Sequence, residues 1–459
     1  MTLENFKNIY FIGIGGIGMS ALARYFLFHG KNVGGYDRTS TLLTEKLIDE
    51  GADIHFQDEI DSIPQIFKNK EDTLVIYTPA IPSNHMEFTF FQNKHFILKK
   101  RAEVLGLITQ SYKGLCIAGT HGKTTTSTIL AHLLHQSHIG CNAFLGGISK
   151  NYDTNLLLSK TSPYTVIEAD EYDRSFHWLS PYITVITSVE ADHLDIYGSE
   201  RNYRESFEMF TSLIQPKGTL LVKEGLKLTP EVTQGVDIYT YSMDKGDYYA
   251  ENIKIEEGEI IFDFITPKGK IEKIQLGVPI AINIENSIAA MAVAMLIGVS
   301  IEEIKEGIKS YRGVDRRFDF QIKTPNLVFL NDYAHHPAEV KQSILSVKQL
   351  YPTKKITGVF QPHLYSRTNS FYKEFAESLS LLDKVVLLDI YPAREKPIEG
   401  VSSQLIYDAL RTTTEKVLIR KEALLDVIKQ EEVEVLITLG AGDIDTFVPE
   451  IKNILTKRL

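Results

Sequence analysis

Residues 115–136 read LCIAGTHGKTTTSTILAHLLHQ, and this stretch decides the fold. Leu115 to Ala118 is a short apolar run of strand length, residues 119–122 form a glycine-bounded turn, and a helical pattern runs from Lys123 to about Gln136. A strand, a glycine loop and a helix in that order make a cradle for phosphate. Backbone N–H groups surround the oxygens, Lys123 neutralises the terminal groups, and the Thr124 hydroxyl is placed to ligate Mg²⁺. Position 117 is Ile where the common P-loop has its first glycine, so this is a shortened variant. Gly119, Thr120, His121, Gly122, Lys123, Thr124 and Thr125 are the candidate nucleotide-binding residues.

Toward the N-terminus a second loop of related chemistry appears. Lys7 to Ile12 is strand-like, Gly13-Ile14-Gly15-Gly16-Ile17-Gly18 follows, and Ile17 to Phe28 is helical. Asn32 to Tyr36 reads as the next strand, ending at Asp37. Gly13, Gly15, Gly16 and Gly18 let backbone approach a diphosphate at a helix N-terminus, and Asp37 can meet a ribose. Thr73 to Tyr77 and Lys94 to Leu98 are further strands of a Rossmann-like unit that ends near Leu107.

Beyond the central loop, strands Tyr164 to Ile167 and Ile183 to Thr187 each run into acidic residues, Glu168-Ala169-Asp170-Glu171 and Asp192-His193-Leu194-Asp195. Ligands of open α/β sheets bind beyond the carboxyl ends of strands, and carboxylate oxygens there suit the Mg²⁺ of a nucleoside triphosphate. Alternation between Ala250 and Leu276 predicts antiparallel hairpins. A helix over Asn286 to Leu296 follows, and then another opened by the capping box Ser300 to Glu303. The polar run Arg312 to Arg317 reads as a hinge. Strands Leu327 to Leu330, Ile356 to Phe360, Val385 to Leu388 and Val435 to Leu439 then alternate with helices.

The expected architecture is α/β in three domains. Residues 1–107 form a Rossmann-like unit, residues 108–313 a central P-loop ATPase unit with an added antiparallel part, and residues 314–459 a second Rossmann-like unit. A length of 459 residues accommodates this. Forty-nine basic against 59 acidic residues give a net charge of −10, which argues against nucleic acid or an anionic membrane as partner. No apolar stretch approaches the ~18–20 residues that cross a bilayer. A cytoplasmic protein is expected, with Cys116 and Cys141 buried and inert in a reducing compartment.

In the third unit, Asp332-Tyr333-Ala334-His335-His336-Pro337 follows one strand and Gln361-Pro362-His363-Leu364-Tyr365-Ser366-Arg367 the next. Paired histidines raise the question of zinc, but no further His or Cys spacing supports it, and Pro337 suits a plain helix start. A pocket in which Arg367 grips a carboxylate is the better reading.

Seven segments in order, GIGGIGMS (13–20), GTHGKTTT (119–126), EADE (168–171), EADHLD (190–195), RGVDRRF (312–318), DYAHHP (332–337) and FQPHLYSR (360–367), resemble the Mur ligase family. The resemblance implies an N-terminal domain for a UDP-sugar, a central ATPase domain and a C-terminal domain that brings the amino acid. It also implies the reaction: ATP phosphorylates the lactyl carboxylate of UDP-N-acetylmuramate, and L-alanine attacks the acyl phosphate to give an amide, ADP and phosphate.

By resemblance Lys123 contacts the β and γ phosphates, Thr124 and Glu168 hold Mg²⁺, and His193 lies at a second ion. The implied catalytic set is Lys123, Glu168 and His193. Asn283 and Asn286 match adenine contacts, Asp332 a ribose contact and Arg317 a phosphate contact. His336, His363 and Arg367 fall where the amino acid is received. The sequence departs from the family at Ile282, usually His, and at Leu364, usually Arg. It also has no lysine between Asp195 and Gln215 to match one that is carbamylated in several members. A monomer or homodimer is expected. The rival readings are a recycling ligase that attaches a tripeptide to the same sugar nucleotide, and a nucleotide sensor without turnover.

Overall fold

The computed structural model describes every residue except 1, 2, 79, 80, 83, 193, 257 and 394. The first sheet is fully parallel, in the order Asp53–His55, Asn32–Tyr36, Asn8–Ile12, Thr73–Tyr77, Ile97–Lys100. The order reverses at Asn8–Ile12, so the glycine loop leaves the sheet at its switch point, where ligands bind in doubly wound folds. The strand expected over 94–98 begins only at Ile97. Helix Met86–Asn93 occupies the chain up to its cap at Lys94, and His95 turns it through a left-handed conformation (φ 58°). Helix Arg101–Thr109 follows directly, so residue 107 lies inside a helix.

The second sheet has seven strands, in the order Asp237–Tyr241, Thr219–Lys223, Pro181–Ile186, Lys113–Ala118, Tyr164–Glu168, Asn142–Ser149, Thr154–Leu157. Only the edge pair formed by Asn142–Ser149 and Thr154–Leu157 is antiparallel. The P-loop strand Lys113–Ala118 is the central one, flanked on both sides, and its residues from Leu115 to Ala118 are fully buried. Strands Tyr249–Glu256, Glu259–Thr266 and Gly269–Gln275 form a separate three-stranded sheet in chain order, as the alternation predicts. Helix Ala281–Leu296 starts five residues before the expected point, because Asn283 and Asn286, polar residues that suggest a turn, are buried within it. The capping box at Ser300 and Glu303 opens helix Ile301–Ser310 as expected.

The third sheet runs Asp319–Lys323, Val328–Asp332, Val435–Leu439, Ile356–Phe360, Lys384–Leu388, Glu415–Ile419, antiparallel only at its first pair. The chain divides into two compact units, with a break between Arg312 and Gly313. The first unit holds the first two sheets. The second holds the third sheet together with Ile253–Ile261 and Val278–Ala281.

One apolar core joins the first two sheets. Helix Ile17–Phe28 buries residues on every side, against its own sheet through Phe26 and against the central sheet, where Tyr25 lies 5.8 Å from Phe144. Fully buried Asn155 fastens this helix, donating to the Ile17 carbonyl at 2.6 Å and accepting from Arg24 at 2.7 Å. Both cysteines are free and buried, and burial pushes the Cys141 thiol up to about 12 and that of Cys116 higher still. Neither thiol ionises near neutral pH.

Candidate active site

The P-loop connects Lys113–Ala118 to helix Lys123–Gln136. Two of its glycines are required by geometry. Gly119 (φ 138°) lies where a Cβ would sit 2.1 Å from the Thr187 hydroxyl, and Gly122 (φ 82°) caps the helix in the left-handed region. The segment after strand Pro181–Ile186 and helix Glu200–Ser212 brace the loop from outside. The His121 N–H donates to Ser188 Oγ at 2.8 Å, and the Thr120 hydroxyl donates to the Glu190 carbonyl at 2.7 Å and meets Tyr203 Oη at 3.0 Å.

Lys123 donates to the Gly119 carbonyl at 2.5 Å and pairs with Glu171 at 2.7 Å. Burial pushes the Glu171 carboxyl above its usual range, and Lys123 opposes that shift. The sequence reading placed Glu171 in the acidic segment without giving it a role. Its partner becomes evident only once Tyr164–Glu168 lies beside Lys113–Ala118.

Thr124 donates to Glu168 Oε1 at 3.0 Å. Opposite this carboxylate lies Gly146, where a Cβ would sit 2.1 Å from Glu168 Oε2, so a residue without a side chain makes room for the acid. A hydroxyl and a carboxylate side by side at the head of a P-loop are hard oxygen donors of the kind Mg²⁺ takes. Among the described residues no group of three His, Cys, Asp or Glu is placed to hold a metal by itself. A Mg²⁺ here would complete its shell with water and phosphate oxygens. His193 lies outside the described residues.

Asn286 reaches the same loop from helix Ala281–Leu296. Its Oδ1 accepts from Thr126 Oγ1 at 3.2 Å and lies 2.9 Å from where a Gly122 Cβ would be, and its Nδ2 donates to Asn283 Oδ1 at 3.2 Å. Residues about 160 positions apart thus share one wall of the phosphate loop. Ile282, at the family's histidine position, is exposed.

At the first loop, Asp37 Oδ2 accepts the Gly15 N–H at 2.7 Å. A Cβ on Gly15 would approach that oxygen to 2.9 Å, so the glycine permits the contact. Asp37 therefore orders the loop from within. Gly13 adopts φ 88° and Gly16 precedes the helix as its N-cap. Gly18 gives passage to Arg101, whose Nη1 would lie 2.7 Å from a Cβ there.

In the second unit, Asp332 ends its strand buried, accepting from the Ser343 hydroxyl. Burial raises its carboxyl above the usual range, against the pull of Ser343 and Arg317. The Arg317 guanidinium sits 5.3 Å from the Tyr333 ring. His336 is the N-cap of helix Pro337–Leu350, as Pro337 suggests, and its ring packs edge-on against Phe371. His335 turns elsewhere, toward the Tyr333 carbonyl at 3.0 Å and the Glu339 carboxylate at 3.4 Å, and burial pushes its imidazole pKa below the usual value. The adjacent histidines diverge, so they do not form a zinc pair. His363 stacks on Tyr391, and its Nδ1 accepts from Arg367 at 3.2 Å. Leu364 adopts φ 71° and donates its N–H to the Tyr391 carbonyl at 3.0 Å, an uncommon conformation for a leucine in the middle of this motif.

Two glycine loops at the carboxyl ends of parallel sheets, one a P-loop with its lysine, hydroxyl and carboxylate assembled, define a nucleotide-dependent enzyme of two anionic ligands. Family models describe the same chain: the Mur ligase family catalytic domain matches residues 8–113, the Mur ligase middle domain residues 117–294, and the Mur ligase glutamate ligase domain residues 316–442. The chain belongs to the Mur ligase family. It is 63% identical over 458 residues to the UDP-N-acetylmuramate--L-alanine ligase of Phocaeicola vulgatus, covering all of both chains. It is 53% identical to the enzyme of the same name from Porphyromonas gingivalis, over 98% of this chain and 99% of that one. The crystal structure of UDP-N-acetylmuramate-alanine ligase from Thermotoga maritima superposes with a TM-score of 0.82 at 27% identity, covering 98% of this chain and all of that one. A murein peptide ligase from Psychrobacter arcticus shares the fold at a TM-score of 0.68 and 19% identity, covering 98% of each chain. No helix among the described residues is long and apolar enough to cross a membrane.

Proposed function

We propose that this protein joins L-alanine to the lactyl carboxylate of UDP-N-acetylmuramate, with conversion of ATP to ADP and phosphate through an acyl phosphate. The observation that carries the reading is the assembly of two phosphate-binding loops in one compact unit, in a chain similar over its full length to ligases of that name. A dehydrogenase has no need of the P-loop, and a plain ATPase has no need of the first loop.

Each residue then has a physical task. The N-terminal loop, ordered by Asp37, receives the UDP diphosphate. Lys123 moves from Glu171 onto the β and γ phosphates and spreads their charge during transfer. Thr124 and Glu168 would hold Mg²⁺, which supplies further electrostatic stabilisation of the transferring group, with His193 at a second ion. Asn283 and Asn286 would contact adenine, Asp332 the ribose and Arg317 a phosphate. In the C-terminal unit His336, His363 and Arg367 would receive the amino acid, Arg367 pairing with its carboxylate. With Leu364 at the family's second arginine position, that pairing rests on one guanidinium.

The test is phosphate release with ATP, Mg²⁺, UDP-N-acetylmuramate and L-alanine each omitted in turn. Release should require all four. Full-rate release without the sugar nucleotide contradicts the reading, and preference for a tripeptide over L-alanine favours the recycling ligase instead.

A further inference from the structure

The acidic segment after strand Tyr164–Glu168 holds, within four residues, the P-loop lysine and two cations from the junction of strand Ile97–Lys100 and helix Arg101–Thr109. Glu171 takes Lys123 of the P-loop at 2.7 Å. Asp170, one residue earlier, takes Arg101 at 3.0 Å, and Asp173 takes Lys100 at 2.7 Å. Arg101 is the residue whose guanidinium lies against Gly18, at the N-terminus of the helix that follows the first glycine loop. A forked cation at that place suits a diphosphate or a carboxylate of the sugar nucleotide, and a carboxylate of the neighbouring domain now holds it.

Two features make the arrangement capable of switching. Asp173 and Arg174 are consecutive residues in the left-handed region, at φ 52° and 53°, a costly backbone that persists only while its surroundings impose it. The negative charge of Asp170 also acts on Glu171, adding to the push that raises its carboxyl, so the two ion pairs are electrostatically linked. A ligand anion that draws Arg101 away leaves Asp170 uncompensated beside Glu171.

We propose that Arg101 is a sugar-nucleotide-binding residue held in reserve by Asp170, and that its transfer to the bound diphosphate loosens segment 170–174 and releases Lys123 to ATP. This rests on the ligand assignment above. By linkage, ATP must then strengthen sugar-nucleotide binding by the same factor as the sugar nucleotide strengthens ATP binding.

The experiment is calorimetric titration of the full-length protein with UDP-N-acetylmuramate, with and without a saturating non-hydrolysable ATP analogue. Wild-type protein should show at least fivefold coupling. Asp170→Asn, which frees Arg101 in advance, should tighten sugar-nucleotide binding in the absence of the analogue, keep the analogue's own affinity within about threefold, and reduce the coupling to less than twofold. Arg101→Lys, which keeps the charge and loses the fork, should weaken sugar-nucleotide binding tenfold or more and leave the analogue's own affinity unchanged. Trp178, the sole tryptophan, ends the 3₁₀ segment Tyr172–Trp178 and should change its emission when the sugar nucleotide binds alone. Wild-type protein that binds both ligands without coupling, or Asp170→Asn protein that retains full coupling, overturns the proposal and leaves the ligase reading standing. Wild-type protein that does not bind UDP-N-acetylmuramate overturns both.

Discussion

The ammonium of Lys123 lies 2.7 Å from the carboxylate of Glu171, a buried acid on the strand-end segment beside the P-loop. The lysine proposed to meet the ATP phosphates is thus already paired within the protein, and a nucleotide would have to win it from a carboxylate that burial has made a reluctant anion. Lys123→Ala should lower turnover by at least ~10²–10³-fold, the scale of removing one preorganised stabiliser of developing charge. It should also leave Glu171 buried and unpaired, at a cost of roughly 3–5 kcal/mol. Adding Glu171→Gln should restore most of the lost stability and none of the activity. Denaturant titration of the single and double variants, alongside the rate assay, separates the two effects.

Gly146 leaves room for Glu168. In Gly146→Ala the new methyl group would meet the carboxylate at 2.1 Å and force it off Thr124. Gly146 is itself exposed, so stability should change by less than ~1 kcal/mol while kcat falls at least ~10-fold, with a steeper dependence on Mg²⁺. Activity unchanged across a Mg²⁺ titration would remove Glu168 from the metal site.

Asp37 orders the first glycine loop through the Gly15 amide. Asp37→Ala should leave that N–H without its partner and cost about 1.5–3 kcal/mol of sugar-nucleotide binding, roughly tenfold or more in Kd. The KM for ATP should stay within twofold. A matched loss for both ligands would show that the loop's effect spreads beyond its own sheet.

Arg367 faces His363 in a motif where Leu364 replaces the family's second arginine. Removing the only guanidinium for a buried carboxylate costs roughly 2–5 kcal/mol. Arg367→Ala should therefore raise the KM for L-alanine by about two orders of magnitude, with little change for ATP. Leu364→Arg in that background should recover part of the affinity. An unchanged alanine KM would place the carboxylate at another group, with the His335–His336 segment the next to test.

His132 is buried in the first unit between Tyr152 Oη at 2.7 Å and Ser310 Oγ at 3.1 Å, and burial lowers its pKa to about 4. An imidazole held neutral in the folded state but titrating near 6.5 when unfolded contributes full stability above that value. The contribution is lost as pH falls from 6.5 through 4, in total roughly 3 kcal/mol. Thermal melts should show an acid limb in that window, and His132→Asn, which cannot gain the charge, should flatten it.

Much of this protein is decided locally. The glycine loops at 13–18 and 119–122 identify themselves because a strand, a positive-φ turn and a helix start are encoded within a dozen residues, and phosphate chemistry follows from their backbone. Helix Ile17–Phe28, strands Asn32–Tyr36 and Thr73–Tyr77, and the Ser300–Glu303 capping box are legible for the same reason. Strand Asn142–Ser149 and the edge strand Thr154–Leu157 beside it are not, since Gly146 and Gly147 weaken any strand pattern and their pairing is supplied by neighbours in the sheet. The partners of the site residues lie further still from sequence reasoning. Glu171 is 48 residues from Lys123, Asn286 is 160 from Thr126, and Asp170 is 69 from Arg101. Such pairs exist only because the sheets and the helices packed on them bring together segments far apart in the chain. Local sequence determined which residues could carry the chemistry. Tertiary structure decided which charge each one faces, because electrostatic and hydrogen-bond energies depend on distance in space and not on separation along the chain.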